Sequence, residues 1–187
     1  MTPAGIDVRL ETGTDARDGS SSFAGGDASL AGMRVLLAED NAMNQQMARF
    51  SIVKCGASLD IASHGGQAVE LIRRRLEAGE PTYDCVLMDM MMPVLDGAAA
   101  TRRIRELERK HGRESSPHVI VGLSANVGPE YTARVKAAGM DGSLSKPFYP
   151  ATLRATLSSV RRGAYLGFAA RRTEGEGVEG HQGKPGN

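Results

Sequence analysis

The sequence predicts an α/β fold built on a doubly wound sheet of five parallel strands, with helices on both faces. Short apolar runs typical of strands alternate along the chain with amphipathic segments typical of helices. The central runs, such as residues 85–88, are apolar at every position, as expected for strands that helices cover on both sides. Because the connections are short, right-handed crossovers and a parallel sheet are favoured.

The predicted strands are short and are separated by the helical segments. They comprise residues 33–38, 58–62, 84–88, 119–123 and 143–145. Five such strands fit the flavodoxin-like order 2-1-3-4-5, in which strand 1 lies beside strand 3. The topological switch point then falls between these two strands, and ligands bind at the carboxyl ends of strands at such points.

Apolar side chains recur at helical spacing in the five segments that follow the strands. This spacing puts them on one face of a helix. The stripes are Met43, Met47 and Phe50; Ala68, Ile72 and Leu76; Ala100, Ile104 and Leu107; Tyr131, Val135 and Ala138; and Leu153, Leu157 and Val160. Asp96 is placed to cap the third helix and Gly139 to end the fourth, which supports these boundaries independently of the apolar pattern.

The two ends of the chain differ in composition from its middle. Residues 1–32 are rich in Gly, Ser, Thr, Asp and Ala without a sustained period, which is typical of a disordered arm or linker. Residues 162–187 are rich in Gly and charged groups and are expected to form a flexible tail. The folded domain is therefore predicted to occupy residues 33–161.

The overall charge excludes a strong electrostatic attraction to nucleic acid or to an anionic membrane. The 187 residues include 23 Lys and Arg against 22 Asp and Glu, a formal net charge of +1. No stretch approaches the ~20 apolar residues that a membrane span requires. Cys55 and Cys85 lack metal-binding spacing and are predicted to be buried in a reducing compartment. We therefore expect a cytoplasmic protein that contacts neither nucleic acid nor membrane.

Charged residues follow three of the predicted strands at the point where each strand ends. Glu39 and Asp40 follow strand 1, Asp89 follows strand 3, and Lys146 follows strand 5. The carboxyl ends of parallel strands meet at one edge of a sheet, so these groups are expected to form one site.

The chemistry of this predicted site favours phosphoryl transfer. A carboxylate can attack a phosphoryl group to form an acyl phosphate, and Asp89 on the central strand is the candidate nucleophile. Glu39, Asp40 and Asp89 would repel one another, and a phosphoryl donor, unless a hard divalent cation shared their oxygens. The carboxylates therefore imply Mg²⁺.

Four motifs resemble the receiver domain of two-component response regulators, and most closely the receivers attached to hybrid sensor histidine kinases. The motifs are Glu39-Asp40-Asn41-Ala42-Met43-Asn44, Met88-Asp89-Met90-Met91-Met92-Pro93-Val94-Leu95-Asp96-Gly97, Leu123-Ser124-Ala125-Asn126 and Ala138-Gly139-Met140-Asp141-Gly142-Ser143-Leu144-Ser145-Lys146-Pro147-Phe148. They occur in the family's order, each at the predicted carboxyl end of a strand, and the resemblance covers residues 33–161.

The resemblance implies that this domain accepts a phosphoryl group in a two-component phosphorelay. Asp89 would be the nucleophile and phosphorylation site, while Lys146 and Ser124 would contact the phosphoryl oxygens as catalytic residues. The Lys146-Pro147 bond is expected to be cis. The phosphoryl group would come from the phosphohistidine of a histidine kinase or a histidine phosphotransfer protein. The domain would catalyse only its own phosphorylation and dephosphorylation, and so would be a signalling receiver rather than an enzyme.

The same resemblance implies a set of ligands for Mg²⁺. Asp40 and Asp89 would bind the ion through their carboxylates, Met91 through its main-chain carbonyl, and Glu39 through a water molecule. Sulfur is too soft a ligand for magnesium, so the Met91 side chain has no part in this site. Met91 and Asn126 are the positions from which the family is expected to control hydrolysis of the phosphate.

One position departs from the family pattern. Receivers couple movement of the hydroxyl residue, here Ser124, to an aromatic residue three positions before the lysine, and this chain has Ser143 there. A shift of Ser124 and the loop after it could still reshape the fourth helix and fifth strand.

Other functions stay open at this stage. A pseudo-receiver would bind partners without being phosphorylated, although all five site positions hold competent residue types. A phosphohydrolase of the haloacid dehalogenase type would also use an aspartate and Mg²⁺, but it needs a second aspartate two residues after the first, and residues 39–42 do not supply one. The domain could belong to a larger hybrid kinase or act as a free-standing shuttle, and the sequence indicates no oligomeric state.

The histidines are expected to lie at the surface or at strand ends, and the first two arginine clusters on solvated helix faces. No histidine lies in a phosphoacceptor context, and no glycine-rich loop has the spacing of a nucleotide-binding site. The histidines are His64, His111, His118 and His181, and the arginine clusters are residues 73–75, 102–103 and 171–172.

Overall fold

A five-stranded parallel sheet forms the centre of the molecule. The computed structural model describes residues 29–125, 128–165 and 167. The strands are β1 (Arg34–Ala38), β2 (Ser58–Ala62), β3 (Cys85–Asp89), β4 (Val119–Ser124) and β5 (Gly142–Ser145). The helices are α1 (Ala42–Lys54), α2 (Gly65–Glu77), α3 (Gly97–Lys110), α4 (Pro129–Ala137) and α5 (Pro150–Arg161).

The strand order is β2-β1-β3-β4-β5, and every neighbouring pair is parallel, which confirms the predicted topology. The predicted strand limits agree with the structure to within one residue. All five residues of β3 are buried, because helices cover both faces of the central strand. A continuous apolar run therefore identified this strand correctly.

The helices divide between the two faces of the sheet and enclose two apolar cores. α2, α3 and α4 cover one face, where Ile72, Ile104 and Val135 are buried. α1 and α5 cover the other face, where Ile52 and Leu157 are buried. Burial of each large aliphatic side chain contributes roughly 1.5–3 kcal/mol of transfer free energy.

In α1 the buried face is not the one that its apolar stripe predicted, whereas in the other four helices the two agree. Met43 and Phe50 are 70% and 69% exposed, and Met47 is also exposed, while Ala48 and Ile52 are buried. Both sets of residues have helical spacing, so the period alone could not identify the buried face. The packing of α1 against the sheet and α5 selects Ala48 and Ile52.

Helix ends follow the predicted capping residues. The Asp96 side chain accepts a hydrogen bond from the Ala99 amide at 2.7 Å and caps α3. Asn41 caps α1 in the same way, with its side-chain oxygen 2.9 Å from the Met43 amide. Gly139 follows α4 with a φ of 88°, a left-handed conformation that favours glycine at helix ends.

The described structure begins and ends slightly outside the predicted domain. Leu30 is fully buried and its amide donates a 2.9 Å hydrogen bond to the Cys55 carbonyl, so the packed core starts before Met33. Tyr165 packs against the α1 and α5 core. Most of both predicted arms lies outside the described residues. The disorder of the first and the flexibility of the second remain predictions.

The two cysteines differ in exposure. Cys85 on β3 is fully buried, and burial raises the pKa of its thiol. Cys55, at the end of α1, is only half-buried, so its predicted burial was wrong. It follows the helix terminus and lies at the mouth of the space between α1 and α5, where packing is less complete. Within the described part of the chain, no helix has the length and apolar character needed to cross a membrane.

Candidate functional site

Three acidic side chains gather at the carboxyl edge of the sheet, where β1 and β3 lie side by side. Ala38 pairs with Met88, so the residues that follow the two strands face each other. Carboxylate oxygens of Glu39, Asp40 and Asp89 lie within 4.8 Å of one another. Glu39 and Asp89 are buried and Asp40 is exposed, which leaves the cluster open to solvent on one side.

Polar groups of the first turn of α1 hold Glu39 in place. Its Oε1 atom accepts hydrogen bonds from the Asn44 side chain at 3.0 Å and from the Asn41 amide at 3.2 Å. Gln45 donates to the main-chain carbonyl of Glu39 at 2.6 Å. Sequence reasoning assigned no role to Asn44 or Gln45. Their positions one turn after strand 1, on the helix that Asn41 caps, were the signal that could have identified them.

Lys146 brings a positive charge between two of the carboxylates. Its Nζ atom lies 2.7 Å from Asp89 Oδ2 and 2.6 Å from Glu39 Oε2. Burial disfavours the charged ammonium, but the hydrogen bonds and charges of Asp89 and Glu39 outweigh it and raise the pKa of Lys146. The lysine is therefore protonated at neutral pH. The Lys146–Pro147 peptide bond is cis, as the resemblance implied.

The loop after β3 positions the Asp89 carboxylate. The Met91 amide donates a 3.1 Å hydrogen bond to Asp89 Oδ1, while the Met91 side chain points to solvent. Gly97, at the start of α3, packs directly beneath β3, and a side chain there would clash with the Asp89 carbonyl oxygen. The Gly97 amide donates to the Met90 carbonyl at 3.2 Å, so the loop closes tightly onto the helix.

Ser124 completes the edge of the site at the end of β4. It is half-buried, and the Lys146 amide donates a 2.6 Å hydrogen bond to its main-chain carbonyl, which ties the lysine to the serine. Asn126, a predicted determinant of phosphate lifetime, lies outside the described residues. A cavity of about 380 Å³ separates the loop after β3 from α4. It is lined by Met90, Met91, Ser124, Gly128, Pro129, Glu130, Tyr131 and Arg134.

The donor set suits a magnesium ion. Mg²⁺ takes oxygen ligands at about 2.0–2.1 Å, so opposite ligands lie about 4.2 Å apart, and the carboxylate separations here are compatible with that span. Two buried acids beside an exposed one also provide negative charge that a single lysine does not fully neutralise. Asp40 and Asp89 could bind such an ion directly, together with the Met91 carbonyl.

The described histidines lie outside this cluster. His64 caps α2 and His111 ends α3. His118 is buried just before β4, where its ring contacts Glu108 Oε1 at 2.5 Å and Thr82 Oγ1 at 2.6 Å. His181 and the arginine pair 171–172 lie outside the described residues. Arg73, on α2, forms ion pairs with Glu70 and Glu77 on the same helix.

Comparison with known proteins agrees with this geometry. Residues 35–158, about two thirds of the chain, match the model of the response regulator receiver domain. The chain belongs to this family. The receiver is 38% identical over 128 residues to histidine protein kinase 1 of Candida albicans, a match that covers 68% of this chain and 5% of that kinase. The chain therefore spans only a small part of its curated relative.

Two solved receivers show the same fold. The receiver domain of the sensor histidine kinase PA1611 from Pseudomonas aeruginosa, determined with magnesium coordinated in its active-site cleft, is 37% identical with a TM-score of 0.58. The match covers 68% of this chain and 95% of that one. The receiver domain of Ssk1 from Saccharomyces cerevisiae, in complex with the histidine phosphotransfer protein Ypd1, is 27% identical with a TM-score of 0.62 and coverage of 72% and 92%.

The predicted topology and family membership are thus confirmed, and hybrid histidine kinases are among the relatives, as the motifs indicated. The receiver is a phosphorelay signalling module, and its acidic cluster fits a magnesium site. The structure brings together Glu39, Asp40, Asp89 and Lys146, and sets Ser124 at the end of the neighbouring strand.

Proposed function

We propose that this receiver accepts a phosphoryl group on Asp89 from a phosphohistidine of a histidine kinase or of a histidine phosphotransfer protein. One observation carries the proposal: the Asp89 carboxylate lies among two further acids and a protonated lysine at the open edge of the sheet. A nucleophile and a charge-stabilising group in one pocket are what phosphoryl transfer requires.

The transfer is a substitution at phosphorus. An Asp89 carboxylate oxygen attacks the phosphorus atom, an O–P bond forms, and the N–P bond of the donor breaks with its electron pair returning to the imidazole. Lys146 stabilises the phosphoryl oxygens by charge, and the Ser124 hydroxyl donates a hydrogen bond to one of them. Reaction with water later releases the phosphate, and Met91 and Asn126 are the positions proposed to control this hydrolysis.

Magnesium is the cofactor proposed for this site. Asp40, Asp89 and the Met91 carbonyl would hold the ion, with Glu39 assisting through a water molecule. When bound, Mg²⁺ supplies positive charge that offsets repulsion between the carboxylates and the incoming phosphoryl group. Hydrogen bonds from the Asn44 side chain and the Asn41 amide hold Glu39 Oε1 in place.

The exposed face of α1 is the surface proposed to receive the partner. Met43, Met47, Phe50 and Val53 form an apolar face that begins within one turn of Asp40. Exposed apolar residues grouped in this way are typical of interaction sites. A cavity of about 560 Å³ between α1 and α5 continues the surface beside Phe50. A protein that presents a phosphohistidine to Asp89 could therefore rest on α1.

The proposal places the domain in a cytoplasmic two-component pathway, without contact with nucleic acid or membrane. The domain would act as part of a hybrid kinase or as a separate shuttle. In either case phosphorylation would alter its binding to a partner, and autocatalysis would be limited to its own phosphorylation and dephosphorylation.

Labelling with acetyl phosphate and Mg²⁺ tests the assignment of Asp89. We expect intact-mass spectrometry to detect one phosphoryl group on the unmodified protein and none on Asp89→Asn. Asp96→Asn is the matched control: it makes the same change seven positions later, and asparagine caps a helix as aspartate does. Labelling of Asp89→Asn at the level of the control would refute the nucleophile. Absence of labelling in all three proteins would favour the pseudo-receiver.

A further inference from the structure

Tyr131 occupies an unusual place between the proposed phosphorylation site and α4. It belongs to the first turn of α4, yet its side chain is only 8% exposed and lies in the core beneath β4. It also lines the cavity that Met90, Met91 and Ser124 border. One aromatic side chain thus contacts both the surroundings of the site and the body of a helix that could report its state.

A glycine on β4 makes room for this tyrosine. Gly122 on β4 is paired with Ser143 on β5, so both positions face the same side of the sheet. A Cβ atom at Gly122 would lie 3.2 Å from Tyr131 Oη. The hydroxyl therefore lies against Gly122, whose strand partner is position 143, where the family pattern has an aromatic residue and this chain has serine.

The Tyr131 hydroxyl is buried without a hydrogen bond of regular geometry to any residue that the structure describes. Buried hydroxyls are normally paired, so a closer partner would stabilise this group in another state of the site. Burial raises the pKa of Tyr131, a hydrogen-bonding interaction with the Ser124 side chain opposes that rise, and the charge of Asp89 adds to it. Tyr131 therefore interacts electrostatically with two residues of the site.

We propose that phosphorylation of Asp89 completes a hydrogen-bond chain in which the Tyr131 hydroxyl donates to Ser124 Oγ and the Ser124 hydroxyl donates to a phosphoryl oxygen. This inference rests on the proposed function. A serine hydroxyl has one donor and two acceptor sites, so it can make both bonds at once. Hydrogen bonds in such a chain polarise and strengthen one another.

The proposed hydrogen-bond chain gives Tyr131 a positioning role. It orients Ser124 toward the phosphoryl group and connects the site to the first turn of α4, so this helix rather than β5 supplies the aromatic group that senses phosphorylation. Coupling of this kind is reciprocal: if the phosphoryl group strengthens the Tyr131 contact, the Tyr131 contact strengthens binding of the phosphoryl group or its analogue.

Beryllofluoride with Mg²⁺ provides the probe, and NMR provides the readout. In the unmodified protein we expect the analogue to shift the amide signals of Asp89, Ser124 and α4, together with the ring signals of Tyr131. In Tyr131→Phe the amides of Asp89 and Ser124 should still respond, those of Val135 and Ala138 should shift much less, and affinity for the analogue should fall about fivefold, as expected for one hydrogen bond.

Tyr83→Phe is the matched control, because Tyr83 is also buried but lies before β3 at the opposite end of the sheet, with its hydroxyl bonded to Asp60. It should leave affinity and the α4 response unchanged. Ser124→Ala supplies a test that keeps the tyrosine: the Tyr131 ring signals should no longer respond to the analogue.

The outcomes separate this inference from the proposed function. An unchanged α4 response and affinity in Tyr131→Phe, or a Tyr131 ring response that persists in Ser124→Ala, would overturn the inference and leave Asp89 as phosphoacceptor. If the analogue perturbs no amide around Asp89 in the unmodified protein, the proposed function fails and the inference fails with it.

Discussion

The Lys146 ammonium lies 2.7 Å from Asp89 Oδ2, although 57 residues separate the two in the chain. The same nitrogen lies 2.6 Å from Glu39 Oε2, so one cation neutralises acids from two different strands. Its own charge is in turn stabilised by these acids, which outweigh the cost of burial and raise its pKa. One ammonium against three carboxylates leaves the site with a net negative charge before any phosphoryl group arrives.

Replacement of Lys146 by methionine should separate metal binding from phosphoryl transfer. Without the ammonium, the site is more negative, and we expect Mg²⁺ to bind about tenfold more tightly, since a unit charge at this distance interacts by several kcal/mol before screening. Labelling by acetyl phosphate should nevertheless slow by about tenfold or more, because the phosphoryl oxygens lose a cation.

Isothermal titration calorimetry measures the first effect and intact-mass spectrometry the second. Lys110→Met removes a lysine from the exposed end of α3 and should change neither result. Weaker Mg²⁺ binding in Lys146→Met would contradict the view that lysine and metal share the same carboxylates.

Gly97 is expected to tolerate no side chain. In Gly97→Ala the new methyl group would meet the Asp89 carbonyl oxygen, so β3 and α3 must separate. We expect the free energy of unfolding to fall by about 2 kcal/mol or more, as for other overpacked cores. Urea denaturation measures the loss. Gly66→Ala, in the first turn of α2, is the control and should cost much less, because its Cβ would meet only the His64 side chain, at 3.2 Å, and that ring can shift whereas the Asp89 main chain cannot. Equal stability of the two variants would contradict the predicted clash.

The free energy of unfolding should depend on pH through Glu108. This residue is buried at the end of the sheet opposite the site. Hydrogen bonds from His118 and Arg105 outweigh the effect of burial and hold the pKa of Glu108 below its ordinary value of 4.5. Because the folded pKa is the lower one, the stabilisation from ionised Glu108 is present above about pH 4.5 and is lost as the pH falls through the folded value. Arg105 also pairs with Asp141 at 2.8 Å, so the guanidinium is shared between two carboxylates.

In Glu108→Gln we expect lower stability at neutral pH and a shallower decline as the pH falls below about 4.5. Urea denaturation across this range measures both effects. Glu106→Gln, on the exposed side of α3, should follow the unmodified protein. Parallel stability curves for Glu108→Gln and the unmodified protein would show that Glu108 contributes no acid sensitivity.

The apolar face of α1 should affect the rate of phosphoryl transfer from a protein donor but not from a small-molecule donor. Phe50 is 69% exposed, so Phe50→Ala should change the free energy of unfolding by no more than about 0.5 kcal/mol. Transfer from a phosphorylated histidine phosphotransfer protein should slow by about tenfold, as expected when an aromatic contact at an interface is lost.

Labelling of Phe50→Ala by acetyl phosphate should stay at the unmodified rate, since this donor needs no docking surface. Arg102→Ala, on the exposed face of α3, serves as the control for both donors. Equal slowing with both donors would place the defect in the site rather than on α1.

Several features of the fold followed directly from local patterns. The buried strand β3 could be recognised because all of its positions are apolar, and the helix caps Asp96 and Gly139 could be placed because their chemistry is local. α1 was harder, because it carries two apolar sets with the same period. The set that includes Phe50 is exposed and the set that includes Ile52 is buried, and only packing against α5 and the sheet distinguishes them.

Sequence motifs also could not predict the contacts that support the site residues. The hydrogen bond from Asn44 to Glu39 and the proximity of Tyr131 to Gly122 depend on how α1 and α4 pack on the sheet. Such packing depends on contacts between residues that are distant in the chain. The motifs placed Ser124 at a strand end but gave no information about which aromatic group lies beside it.

By itself, the sequence determined which residue types stand at the ends of the strands, and so the chemistry that is possible: three carboxylates, a lysine and a hydroxyl. Strand periodicity and strand order then brought these groups to one edge of the sheet. Only the tertiary structure decided that Lys146 spans Asp89 and Glu39, that Gly97 packs against the main chain of the nucleophile, and that Tyr131 lies against Gly122. The physical reason is that residue identity and period are local properties, whereas distances between side chains depend on how helices and strands pack against one another.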